Sequence, residues 1–256
     1  MLARRRTQLN RALSKLGLCS RGTAAGWIAA GRVRVNGKIA LSPEQWVELG
    51  SDRIEVAQGE PGTGKPSRKA DGPAERFESL YLALHKPPGY VTTRSDELGR
   101  KTVYDLLPPD RRDGWLFPVG RLDKDSEGLL LLTNDGAWAD VLTDPVRHVP
   151  KVYRVKLDRK PGPADLERFR TGIVLDGSKT APAGAEPEGG GWYRVTLTEG
   201  RNRQIRRMFH ALGCKVKRLV RVSIGPLGLG DLGPGRLRDL TAEEADALRK
   251  AAGRAG

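Results

Sequence analysis

Residues 120–136 read GRLDKDSEGLLLLTNDG, and the organisation of the chain follows from this stretch. Its first half is a polar, charged turn with Gly120 and Gly128 at its ends. Its second half is an unbroken apolar run, Leu129 to Leu132, closed by Thr133. A strand with one wet face alternates polar and apolar residues, so an unbroken run predicts a strand buried on both faces. Such a strand, 129–133, anchors the preceding loop against a core. Loops held by rigid scaffolds are common sites of chemistry. This loop offers a carboxylate, Asp123, separated from Arg121 by one residue.

Two further segments work outward from it. Upstream, residues 81–91 (YLALHKPPGYV) form a short strand broken by a Pro-Pro-Gly turn; taken alone, this is simply a strand end held by a rigid turn. Downstream, residues 197–209 read LTEGRNRQIRRMF. Arg203, Arg206, Arg207 and His210 recur at three- and four-residue spacing and line one side of a helix, with Ile205, Met208, Phe209 and Leu212 on the buried side. A basic helix face suits a nucleic-acid backbone, although by itself it is equally a solvated charged surface.

Composition narrows the function classes. The 256 residues carry a formal net charge of +14, a statement about partners rather than fold, and nucleic acid is the first of those partners. Aromatics make up only 5%, which argues against gripping single strands mainly by repeated stacking. No apolar run approaches the roughly 20 residues that span a membrane, and no apolar segment follows the basic start as a secretory signal requires. The two cysteines, Cys19 and Cys214, and three histidines, His85, His148 and His210, are scattered, so neither a zinc site nor a disulfide framework has support. Both cysteines read as small buried hydrophobes in a reducing cytoplasm.

Residues 60–75 (EPGTGKPSRKADGPAE) are rich in Gly, Pro and charge and read as a flexible linker. The expected organisation is a basic head over 8–57, a linker over 58–77 and a body over 78–253. In the head, Leu9, Leu13 and Leu16 recur at helical spacing, with Gly17 as the stop. Ser20 caps a second helix through Trp27 and Ile28. Arg32-Val33-Arg34-Val35 then alternates as a strand, Asn36-Gly37 is a type I′ turn, and 38–40 begins the return strand. A final strand covers 52–56.

The head resembles the S4 RNA-binding domain through L-x-x-LGLCSR (13–21) and I-x-x-G-x-V-x-VNG (28–37). Gly22 departs from that pattern, which usually has a second basic residue there. The resemblance gives Arg11, Lys15, Arg21, Arg32, Arg34 and Lys38 the role of phosphate contacts on folded RNA; without it they are an ordinary solvated surface.

The body resembles the pseudouridine synthases, closest to the types designated A, B, E and F that act on ribosomal RNA, the first on small-subunit RNA and the others on large-subunit RNA. Three segments carry this: the GRLD-x-x-S-x-GLL stretch, Lys151-x-Tyr153-x-Val155, and Glu199-Gly200-x-Asn202-x-Gln204-Ile205-Arg206-Arg207-Met208. Ser126 replaces the usual Thr and keeps the hydroxyl. The resemblance implies an α+β fold with a mostly antiparallel or mixed central sheet flanked by helices, behind the small S4-like domain of two helices and a short antiparallel sheet. It implies cofactor-free and metal-free isomerisation of a uridine in ribosomal RNA. In that reaction the N1–C1′ bond breaks, the uracil turns and rejoins through C5. Asp123 would be the catalytic carboxylate, held by the fork of Arg206. Tyr153 would stack on the base, Ile205 would cover its other side, and Arg121 would help extrude the nucleotide. Lys86 would support the pocket, with Arg203 and Arg207 contacting substrate. His148 matches no family motif and is left as a surface or supporting residue.

The spelling around 192–203 favours large-subunit RNA as the target, and the expected actor is a cytoplasmic monomer. Three other readings compete. Small-subunit RNA could be the target of the same reaction. A non-catalytic S4-type ribosome factor explains the head and the charge but leaves Asp123 and Arg206 without a purpose. A DNA-binding regulator finds no helix-turn-helix signal.

Overall fold

A computed structural model describes residues 6–16, 18–19, 21–57, 79–94, 96–112 and 116–253. The expected linker, the Gly17 stop and the Ser20 cap lie outside these residues. The chain divides into two compact units, one containing the head and the other the large sheet of the body.

The head runs β1 (Arg6–Gln8), α1 (Leu9–Lys15), α2 (Arg21–Ala29), β2 (Val33–Val35), β3 (Lys38–Ile39), β4 (Trp46–Glu48) and β5 (Ile54–Val56). Leu9, Leu13 and Ile28 from the helices meet Val33, Val35 and Ile54 from the strands in one core, with Cys19 buried beside them. The β2–β3 hairpin has Asn36 at φ 51° and Gly37 at φ 80°, the pair of left-handed residues a type I′ turn requires. Asn36 also ties the hairpin to the start of β5, accepting from the Arg53 amide at 2.8 Å and donating to Asp52 at 3.0 Å. The antiparallel β1–β4 pair is an addition to the elements that sequence spacing predicts.

In the body, β6 (Tyr81–Lys86) leads through a short helix α3 (Pro109–Arg112) to β7 (Phe117–Val119) and β8 (Glu127–Thr133). Next come α4 (Gly136–Thr143), β9 (Lys151–Leu157), α5 (Pro163–Thr171) and the small hairpin β10 (Val174–Leu175) and β11 (Ser178–Lys179). The chain continues through β12 (Gly184–Gly189), β13 (Trp192–Leu197), α6 (Gln204–Ala211), β14 (Val216–Ile224), β15 (Leu227–Gly228), β16 (Leu237–Asp239) and α7 (Ala242–Gly253). Among the described residues the large sheet has nine strands, ordered β12-β13-β9-β14-β8-β6-β16, with β7 on β8 and β15 on β14. Its pairs are antiparallel except β8 with β14, so the sheet is mixed.

All seven residues of β8 are buried, two more at the front than the apolar run alone predicts. Leu129 and Leu131 pack with Trp138, Leu142 and Leu248 of α4 and α7. Burying a leucine side chain contributes roughly 1.5–3 kcal/mol, so this strand is a firm base for whatever precedes it. A second core lies under β9, β13 and β14, where Val155, Val195 and Leu219 meet Phe169 of α5 and Ile205, Met208 and Phe209 of α6. At the parallel step, Gly128 (φ 105°) meets β14 so closely that a Cβ would lie 2.6 Å from the Arg221 nitrogen and overlap its carbonyl. Only glycine fits there.

Candidate active site

The cleft is built where β8 begins. The turn before it is suspended from several sides. Thr92 donates to the Leu122 carbonyl at 2.7 Å and accepts from the Leu122 amide at 3.3 Å. The Gly89 amide, from the Pro-Pro-Gly turn, donates to the Lys124 carbonyl at 2.7 Å. Lys86, fully buried at the end of β6, points its ammonium into the same turn and donates to the carbonyls of Ser126 (2.7 Å), Pro87 (3.1 Å) and Lys124 (3.4 Å). Burial pushes the Lys86 ammonium down to about 8 even though Asp125, Asp123 and Glu127 pull it upward. Lys86 therefore braces the Asp123 turn and does not line the cleft.

Facing this turn is the N-terminus of α6. Arg203 caps it in the left-handed conformation (φ 47°), an arrangement that costs a non-glycine residue of order 1 kcal/mol and clusters at functional sites. Its guanidinium forms a bidentate pair with Asp125 at 2.9 and 3.0 Å and stands 3.7 Å from Asp123. Arg206 also turns to Asp125, with Nε 3.3 Å from the carboxylate and Nη2 donating to the Asp125 carbonyl at 2.9 Å; Nη1 donates to Val216 at 3.2 Å. The expected Arg206–Asp123 fork is thus absent among the described contacts. The Arg203 hydrogen bonds hold the Asp125 carboxyl below its ordinary range, assisted by both arginine charges.

Before α6, the loop is locked by Glu199 and Gln204. Gln204 donates to Glu199 at 2.7 Å and accepts from the Arg201 amide at 3.0 Å, while Glu199 accepts from the Ala181 amide at 2.9 Å. These elements enclose a cleft of about 390 Å³, within the usual range for a small-ligand site. Its walls include Arg121, Asp123, Tyr153, Arg203 and Ile205, drawn from segments some 80 residues apart. Arg206 and Arg207 lie outside the lining; Arg207 is paired with Asp176 on the β10–β11 hairpin. His148 is exposed. Five cations (Arg121, Lys151, Arg201, Arg203, Arg221) and two carboxylates (Asp123, Glu199) line the cleft, a balance that favours an anionic ligand.

Asp125, Thr92, Lys151 and Arg221 were not assigned from sequence. For Arg221 a signal exists: it falls two residues after Leu219 in β14, so a cation occupies the inward register of a strand. Among the described residues, no three His, Cys, Asp or Glu side chains converge as a metal would require, and no helix is long and apolar enough to cross a membrane.

In the head, Arg11, Lys15, Arg21, Arg34 and Lys38 are exposed. Arg32 is half-buried and engaged, donating to the Ala57 carbonyl at 3.0 and 3.2 Å and lying 5.4 Å over the Trp27 ring.

The chain matches the family model described as RNA pseudouridylate synthase over residues 80–211 and that of the S4 domain over 8–54. It is 38% identical to ribosomal large subunit pseudouridine synthase B of Bacillus subtilis (strain 168), covering 94% of this chain and 95% of that protein. It is 39% identical to the enzyme of the same name from Escherichia coli (strain K12), over 87% of this chain and 75% of that one. A solved structure described as a pseudouridylate synthase superposes with a TM-score of 0.67 at 30% identity, covering 94% of this chain and 99% of the other.

Proposed function

The chain belongs to the RNA pseudouridylate synthase family and carries an S4 domain ahead of its catalytic part, and from that premise we propose that it converts a specific uridine of large-subunit ribosomal RNA to pseudouridine. The observation that carries this reading is the cleft that gathers Asp123, Tyr153, Ile205, Arg121 and Arg203 around a volume suited to one flipped nucleotide. The choice of large-subunit RNA is supported by the names of the relatives that match nearly the whole chain.

In this reading the S4 head (8–57) and the body (78–253) grip the RNA together, and one chain supplies every group the site needs, so a cytoplasmic monomer suffices. A stacked uridine cannot react, and extruding it costs a few kcal/mol; Arg121, exposed at the rim, bonds phosphate and fills the vacated stack. Asp123 faces the sugar as the catalytic carboxylate. Its cation is Arg203, while Arg206 acts through Asp125 as a positioning residue. Tyr153 stacks on the base and Ile205 covers its other face. Lys86 keeps the turn, and with it Asp123, in place.

Incubating the protein with large- and small-subunit transcripts, then mapping carbodiimide-modified pseudouridine by primer extension, tests the assignment. A single new stop in the large-subunit RNA is expected. A stop confined to the small-subunit RNA would move the target, and retention of RNA without any stop would favour a non-catalytic S4-type binder.

A further inference from the structure

Arg221 lies in the wall of the cleft, only 4% exposed. Its Nε donates to the Leu129 carbonyl at 2.7 Å, which fixes the fork, yet its Nη2 is shielded from solvent and has no hydrogen-bond partner among the described residues. On the neighbouring strand, Lys151 lines the same cleft, half-buried, and its ammonium forms no hydrogen bond or ion pair with the described residues. Burial, and then the Arg221 charge, push the Lys151 ammonium down, so the two cations are within Coulombic reach of each other. Buried charges are ordinarily paired. Neither carboxylate of the cleft pairs with these two cations among the described residues: Asp123 stands 3.7 Å from Arg203, and Glu199 is engaged by Ala181, Arg201 and Gln204. The part of the wall formed by Arg221 and Lys151 is therefore a positive spot with no carboxylate paired to it among the described residues.

We propose that Arg221 and Lys151 form an anion hole for the uracil released during the reaction. The proposal rests on the synthase reading. When the N1–C1′ bond breaks, its electron pair passes to N1 and is shared with the two carbonyl oxygens of the base. Arg221 Nη2 and the Lys151 ammonium donate to those oxygens while C1′, left electron-deficient, faces the Asp123 carboxylate. On rejoining, an electron pair at C5 forms the new bond to C1′, the C5 proton leaves, N1 takes up a proton and the base is neutral again. The position favours the base over a phosphate. Arg221 is the cross-strand partner of Tyr153, and the apolar Leu219 and Ile205 line the same cleft, whereas Arg121 and Arg203 are exposed. Donors fixed in advance where charge develops contribute about 10²–10³-fold each in a site that excludes water.

The test compares single-turnover tritium release from C5-labelled large-subunit RNA for wild type, Lys151→Met, Lys151→Arg and Arg221→Gln. RNA affinity and thermal melting are followed in parallel. Lys151→Met and Arg221→Gln are expected to lose about 10²-fold or more in rate with RNA affinity within about threefold, while Lys151→Arg keeps most of the rate. Arg221→Gln loses the Leu129 contact, so Lys151→Met, which leaves no known contact broken, is the decisive variant. A second substrate carries 5-fluorouridine at the target and is followed by consumption of that nucleotide. Its base leaves as a weaker base and needs less help, so the loss should shrink by about tenfold. Variants at wild-type rate, rate losses matched by equal losses of affinity, or equal losses on both substrates would each overturn the proposal alone. A wild type that releases no tritium from any ribosomal RNA would overturn the synthase reading and this proposal with it.

Discussion

Asp123 and Asp125 stand two residues apart in one turn, yet Arg203 at the N-cap of α6 and Arg206 within it both settle on Asp125. The left-handed backbone at Arg203 swings its fork back across the turn, so Asp125 takes the bidentate pair and Asp123 keeps only a longer contact at 3.7 Å. That leaves a carboxylate lining the cleft whose side-chain oxygens accept no hydrogen bond among the described residues, as a group meant for substrate should be. Both aspartates were visible in the sequence, as was the run of arginines. Which arginine meets which aspartate was not, because the answer depends on one backbone angle and on the depth to which α6 is drawn into the core by Ile205, Met208 and Phe209. Asp123→Asn should lower single-turnover isomerisation by at least about 10³-fold, in the range seen when a reacting group is removed, whereas Asp125→Asn, which only loosens the arginines, should lose about 10–100-fold. If Asp125→Asn proves the more damaging of the two, the roles assigned to these carboxylates are reversed.

At the level of elements, local patterns were the legible ones. The unbroken leucine run announced the buried strand β8, the alternating Val33 and Val35 with Asn36-Gly37 announced the hairpin of the head, and the three- and four-residue spacing announced α6. The sheet order was not legible, since pairing β14 parallel to β8 and antiparallel to β9 joins residues up to 93 positions apart through contacts that no local spacing encodes. Gly128 shows the connection between the two levels. In the sequence it merely ends a turn; in the fold it is where β8 meets the Arg221 backbone. Gly128→Ala must bear both an unfavourable φ and that overlap, and should cost about 2 kcal/mol or more, lowering the melting temperature by about 5 °C or more. Calorimetry on the purified variant measures this, and a melting point equal to wild type would show that the approach of the strands is looser than described.

For the whole molecule, the charge of +14 becomes a quantitative expectation about RNA. Of the six basic residues assigned to the head from sequence, Arg32 is spent on the Ala57 carbonyl and the Trp27 ring, leaving five exposed cations. Five phosphate contacts at about 0.7–0.9 each give a slope of log K against log salt of about −3.5 to −4.5 from the head. The triple variant Arg21→Ala, Arg34→Ala, Lys38→Ala should flatten the measured slope by about 2–3 while Arg32→Ala scarcely changes it; a slope indifferent to the triple variant would remove the head from the RNA interface. The central claim is nevertheless catalytic, and one measurement tests it most directly: tritium release from C5-labelled uridine in large- and small-subunit transcripts, wild type beside Asp123→Asn. Release from the large-subunit RNA that disappears in Asp123→Asn is the predicted result; release that survives in Asp123→Asn, or its absence from the wild type with either RNA, would contradict it.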